Sequence, residues 1–171
     1  EVISVSLTLS PPQVVVEGSI ENDRPPLVFL SRSFPFFGDV DINDLEALFV
    51  RGAIVSVSDG IRNILLVEYD KISLQAMSEE DFEVFAPILE QYLGFEISQE
   101  LLAFAPDISF YTVDVADIDF VGEIGKNYWL DIQLVNDPLF GNRSLNSKTF
   151  IPFSTKVLRI TLSNSSTFSF W

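Results

Sequence analysis

Alternation constrains this chain more than any other feature. From Asn127 to Val135, Tyr128, Leu130, Ile132 and Leu134 fall on one side of an extended backbone, and Trp129, Asp131 and Gln133 fall on the other. A period of two belongs to a strand with one face buried. Shorter runs repeat it. Val14, Val16, Gly18 and Ile20 share one face, while Val15, Glu17 and Ser19 share the opposite one. Leu27–Arg32 follows across the turn-forming stretch Glu21–Pro26 and reads as the hairpin-like partner of that strand. Ala53–Ser58 and Asn63–Tyr69 flank Asp59-Gly60, a hairpin signal. Ser109–Val113 and Lys156–Leu162 also read as strands, the latter with Leu158, Ile160 and Leu162 inward. About seven short strands separated by turn residues predict an antiparallel β-sandwich. At 171 residues the chain suits a single domain over 1–171.

The period changes between about 78 and 104, which predicts a short helical insertion. Ser78 and Asp81 have capping-box spacing, and Glu79 and Glu80 suit the positive end of a helix dipole. Phe82, Phe85, Ala86, Leu89 and Leu93 form one helical face, and Gly94 marks a stop. Pro87 lies inside this pattern and predicts a kink or two short helices. Ser98 would cap another short turn through Ala103, ended by Pro106. The apolar face must cover either the chain's own sheet or a partner protein.

Composition excludes several chemistries. The chain has no histidine and no cysteine. That removes Ser-His-Asp and Cys-His triads, thiolate nucleophiles, iron–sulfur ligation and Cys-type zinc sites. Asp and Glu number 25 against 10 Lys and Arg, a formal charge of −15. Such a charge argues against nucleic acid and against docking on anionic lipid heads, both of which need clustered basic residues. No apolar run reaches the ~18 residues of a membrane helix. Phosphate-cradling glycine motifs, the G-x-S-x-G elbow and S-x-x-K are missing.

Five clusters remain as candidate sites. Asp39, Asp41 and Asn43 have the 1-3-5 spacing of a calcium loop, but position 6 is Asp44 rather than Gly and position 12 is Val50 rather than Glu. A solvated acidic loop is the simpler expectation, an irregular calcium site the sharper one, and no other cofactor is implied. Asp114, Asp117 and Asp119 form a second acidic cluster, read as a solubilising edge. Phe34, Phe36 and Phe37 flank Pro35 and would either plug one end of the sandwich or form a docking patch. Trp129, with Tyr128, Tyr111 and Trp171, would supply a carbohydrate-stacking platform, and Trp129 is the best placed because it lies opposite the apolar face. Glu79, Glu80, Asp81 and Glu83 would serve a glycoside hydrolase only if two shared a cleft; a helix start explains them without catalysis.

Three blocks carry a family resemblance. Val14-Val15-Val16-Glu17-Gly18-Ser19-Ile20 with Leu30-Ser31-Arg32-Ser33 comes first, then Gly52-Ala53-Ile54-Val55-Ser56-Val57-Ser58-Asp59-Gly60, then Phe120-Val121-Gly122-Glu123-Ile124-Gly125-Lys126-Asn127-Tyr128. In order and spacing, residues 1–136 resemble a family of Bacteroidota surface lipoproteins of unknown function. The resemblance implies an immunoglobulin-like or transthyretin-like sandwich placed just after a lipidated cysteine, a position that here would fall before Glu1–Pro12. It implies a lipid-anchored address at the outer membrane or cell surface. It also implies a protein partner, a TonB-dependent outer-membrane transporter, since such genes often lie side by side. No catalytic motif of that family transfers to these residues. Two features depart from it: Lys71–Asp107 is longer and more helical, and family members usually continue beyond the position of Trp171. The expectation is therefore a non-catalytic envelope interaction domain. A glycan- or small-ligand-binding module is the alternative, and a carboxylate-dependent hydrolase the less favoured one.

Overall fold

A computed structural model describes residues 11–33, 46–94, 96–153 and the backbone of 160–162. Eight strands form one antiparallel sheet: β1 (Val14–Ser19), β2 (Leu27–Arg32), β3 (Ile54–Ser58), β4 (Asn63–Tyr69), β5 (Phe110–Thr112), β6 (Asn127–Asp137), β7 (Gly141–Phe150) and β8 (Ile160–Leu162). Their order across the sheet is β7-β6-β3-β4-β5-β2-β1-β8.

The sheet folds over on itself at β4. Asn63–Leu66 pair with β3, whereas Val67–Tyr69 pair with β5. One strand thus passes from one layer to the other, and a sandwich-like core closes between them. Inward-facing Val14, Val16, Val28 and Leu30 meet Val55, Val57, Tyr128 and Ile132 there, all buried. β1 lies against β6 at Gly18, where a Cβ would meet Leu130 Cδ2 at 3.5 Å, an ordinary van der Waals contact. Gly122 has no room for any side chain, because the Glu21 carbonyl occupies the space, and its amide and carbonyl bond Arg24 and Asp23 at 2.8 Å each.

β2 is apolar without alternation because both of its faces are covered. Val28 and Leu30 enter the inter-sheet core, while Leu27 and Phe29 enter a second cluster. Helices build that second cluster against the outer face: α1 (Lys71–Ala76), α2 (Glu79–Leu93) and α3 (Gln99–Leu102). Phe82, Phe85, Ala86 and Leu89 of α2 pack on Phe29, Tyr69 and Phe110. The apolar face of the insertion therefore covers the chain's own sheet.

Helix boundaries follow their caps. Ser78 Oγ accepts from the Asp81 amide at 3.1 Å, and Gly94 closes α2 in the left-handed conformation at φ 81°. Pro87 lies within one continuous helix rather than between two short ones. The buried Phe82–Leu89 face offsets the lost backbone bond, and the proline ring itself faces solvent. Helix α1 lies ahead of the 78–104 insertion, at the start of the helical Lys71–Asp107 segment. Its signal is Asp70-Lys71-Ile72-Ser73, in which the Asp70 carboxylate accepts from the Ser73 amide at 2.8 Å and Ser73 Oγ accepts from the Asp70 amide at 2.7 Å. Strand β7 was unexpected, since Gly141-Asn142 reads as a breaker and most of the strand is polar.

Candidate functional site

Among the described residues, no helix covers the outer face of β4, β3, β6 and β7. Cross-strand register sets its side chains in rows. Asn63, Ser58, Trp129 and Lys148 form one row, and Leu65, Ser56, Asp131 and Asn146 form the next. Ile54, Gln133 and Ser144 form a third. Strict alternation puts all of them on the side opposite Val55, Val57, Tyr128, Ile132 and Leu134, which are buried. The result is a broad, mainly polar platform with one large aromatic ring at one end.

Trp129 is 41% exposed. The β3–β4 turn limits how its indole sits: a Cβ at Gly60 would lie 3.3 Å from Trp129 Cζ3. Gly60 also has φ 88°, which suits glycine in the turn after Asp59. Asp59 fastens that turn by accepting from the Ile61 and Arg62 amides at 2.9 and 2.7 Å. Burial pushes the Asp59 carboxyl up, but those two amides, aided by Lys126 and Arg62, hold it below its ordinary value. From the other neighbouring strand, Lys148 Nζ stands 4.9 Å from the Trp129 ring centroid. This cation–π contact orients the ring and presents a charged group beside it. A pre-positioned indole next to amide, hydroxyl, carboxylate and ammonium groups can stack on an apolar or sugar face while hydrogen-bonding its rim.

Sequence alternation alone identified Trp129. Lys148 and Asn146 were missed because they come from β7, a mostly polar strand without apolar alternation. Of the other platform aromatics, Tyr128 and Tyr111 are buried and unable to stack on a ligand. The Tyr128 hydroxyl instead holds the preceding turn, accepting from the Glu123 amide at 2.8 Å. Trp171, Phe34, Phe36 and Phe37 lie outside the described residues.

Asp39, Asp41 and Asn43 also lie outside the described residues. Among the described residues, no group of three or more acidic side chains is placed to hold a metal ion. In the second acidic cluster, Asp114 caps a 3-10 turn over Val115–Asp117, accepting from the Ala116 amide at 3.0 Å. Asp119 meets Arg62 at 2.8 Å.

Glu79, Glu80 and Glu83 are exposed on the first turns of α2, and Asp81 accepts from Ser78 Oγ at 2.7 Å. Another carboxylate, Glu68, is held by several donors. Glu68 accepts from the Gly52 amide at 2.7 Å and from Ser109 Oγ at 2.6 Å, and the Tyr111 hydroxyl lies 3.1 Å away. Burial, with Glu68 close by, raises the Tyr111 hydroxyl well above its ordinary value. These contacts tie loop 50–53 to β4 and β5 through the Glu68 carboxylate.

No helix among the described residues is long and apolar enough to cross a membrane. No family model, curated protein or solved structure matches the chain.

Proposed function

We propose that the protein is a non-catalytic interaction domain of the cell envelope, and that it holds a partner protein on the bare β4–β3–β6–β7 face. One observation carries this: Trp129 stands 41% exposed, braced by Gly60 and Lys148, on a face whose other positions are mainly polar. Leaving an indole in water has no folding benefit, and Trp is the residue type most enriched where binding energy concentrates. Leu65 and Ile54, 61% and 46% exposed on neighbouring strands, extend the apolar contact. The lack of His and Cys supports a role without catalysis.

The likeness of residues 1–136 to Bacteroidota surface lipoproteins supports the address, a lipid anchor at the outer membrane, and the partner class, a TonB-dependent transporter. A photo-reactive residue replacing Asn146 tests the face in the native host. The expected result is a discrete adduct to an outer-membrane protein that disappears with Trp129→Ala. Adducts unaffected by Trp129→Ala, or a full-length protein that fractionates away from the envelope, would overturn the proposal.

The hydrogen-bonding groups on the same face, Asp131, Asn146 and Ser56 in the row beside the indole and Gln133 in the next, also suit a glycan stacked on Trp129. In that case a glycan array gives specific hits and sugar binding changes tryptophan fluorescence. An array without hits and unchanged fluorescence removes this alternative.

A further inference from the structure

A cavity of about 310 Å³ lies between the helical layer and the outer face of β2 and β5. Phe29 and Phe110 form its sheet side, their rings 5.9 Å apart and tilted at 43°. Leu74, Leu89, Ile97 and Leu102 form its helical side, and all of these residues are buried. Leu101, 55% exposed, and the half-buried Ala105 and Pro106 also line it, so the cavity opens to the surface beside α3. Close-packed interiors hold few spaces larger than a water molecule, and stability falls as such a space grows. Between the two sheet layers of this chain a space measures only about 40 Å³. The helical interface departs from that rule, and a molecule seated there would restore the lost contacts.

The chemistry of the lining selects the occupant. It is almost entirely apolar, and the ammonium of Lys71 beside it donates to the Ala103 and Ala105 carbonyls, each at 2.9 Å. A charged or hydrogen-bonding group carried inside would shed its water without finding a partner, which costs free energy. A hydrocarbon surface sheds water at a gain. Volume sets the size. An engineered cavity of ~150 Å³ lined by Leu, Ile and Phe takes up benzene, so about twice that volume suits roughly ten carbons. The tilted Phe29 and Phe110 rings favour an aromatic occupant, because aromatic rings pack offset or edge to face.

We propose that this cavity binds an uncharged, hydrocarbon-like small molecule of about ten carbons, the size and shape of two fused aromatic rings. The site is separate from the Trp129 face and stands whether or not that face binds a partner.

Naphthalene is the probe, with a naphthalenediol bearing one hydroxyl on each ring as its polar counterpart, both measured by NMR titration on the whole protein. Naphthalene is expected to bind saturably at one site, to raise the Tm, and to show nuclear Overhauser contacts to the Leu74, Leu89 and Ile97 methyl groups. The diol must bury a hydroxyl whichever ring enters first, so it is expected to bind at least about tenfold more weakly, the scale of one polar group buried without a partner. Leu89→Phe, which enlarges a side chain lining the chamber, should abolish naphthalene binding. The absence of saturable naphthalene binding, equal affinity for the diol, or contacts to methyl groups outside the cavity would each overturn the proposal. Self-association of the protein that naphthalene competes away would make a second copy the occupant and would overturn it as well. The contacts are read on the unmodified protein, so they decide the matter even if Leu89→Phe fails to fold.

Discussion

On one outer face of the folded sheet, Leu27, Phe29, Tyr69 and Phe110 lie under three helices. On the other, Ser56, Ser58, Asp131, Gln133 and Asn146 are exposed or half-buried, and among the described residues no helix covers them. The two faces share β4 and belong to the same sheet, so backbone geometry does not distinguish them. Side chains do. Where the sequence covers a face, it places aromatic and aliphatic groups there; where it leaves one bare, it places hydroxyls, amides and charges. Trp129, Leu65 and Ile54 are therefore the exceptions that carry information. They break the polar rule on the bare face while remaining between about two-fifths and three-fifths exposed.

Core truncation gives the largest expected contrast. Phe85 is 1% exposed in the helical layer, and Phe85→Ala should cost about 3–5 kcal/mol in urea unfolding. Trp129→Ala should cost only about 1 kcal/mol, the scale of its contact with Lys148 and its strand preference. Equal losses would mean that the indole is a structural element and the comparison fails.

A smaller effect tests the crossing between the two faces. Tyr111→Phe removes the hydroxyl that accepts from the Ala53 amide at 3.2 Å and contacts Glu68 and Val50. The expected cost is about 1–3 kcal/mol, from polar groups left unpaired where the sheet changes layer. Amide exchange in loop 50–53 should accelerate; unaltered exchange there would show that Glu68 holds the loop without Tyr111.

Acid should loosen both regions, each through its own carboxylate. Burial pushes Asp70 up, but the Ser73 amide and hydroxyl and Arg51 outweigh it and hold the group below 3.8. Asp137, beneath the β6–β7 turn, is likewise pushed up by burial and pulled lower overall by the Phe140 and Leu139 amides and Arg32. A depressed folded value means stability that is present above 3.8 and lost as pH falls through the lower folded values. Asp70→Asn should flatten that acid limb and expose α1 amides to exchange while leaving β6 and β7 protected. A limb unchanged by the substitution would place the acid sensitivity elsewhere. The smallest effect is expected for Leu65→Thr on the bare face, within about 0.5 kcal/mol of neutral.

Much of this arrangement was legible locally. The period of two located β1 and β6, Asp59-Gly60 located the β3–β4 turn, and Ser78 and Gly94 bounded α2, because each signal sits within a few residues of the element it sets. Leu27-Val28-Phe29-Leu30 was legible as a strand, but its burial on both faces depended on helices that lie far away in sequence. Strand β7 escaped because an edge strand with one exposed face can be polar: Asn142, Ser144, Asn146 and Lys148 give no apolar rhythm. That omission hid half of the candidate site. The Trp129–Lys148 contact arises from pairing across strands, and neither residue's neighbours in sequence announce it.

The central claim is that the bare face, and not the helical one, engages a partner. Phe104 belongs to the helical side and is 88% exposed, so it controls for mere apolar exposure. The decisive measurement is the Kd of the partner captured through the Asn146 position, compared among the unmodified protein, Trp129→Ala and Phe104→Ala. The account predicts that Trp129→Ala weakens binding by about thirtyfold or more, the scale of a hot-spot residue, with Phe104→Ala within about twofold of the unmodified protein. A Kd insensitive to Trp129, or one that follows Phe104 instead, would contradict it.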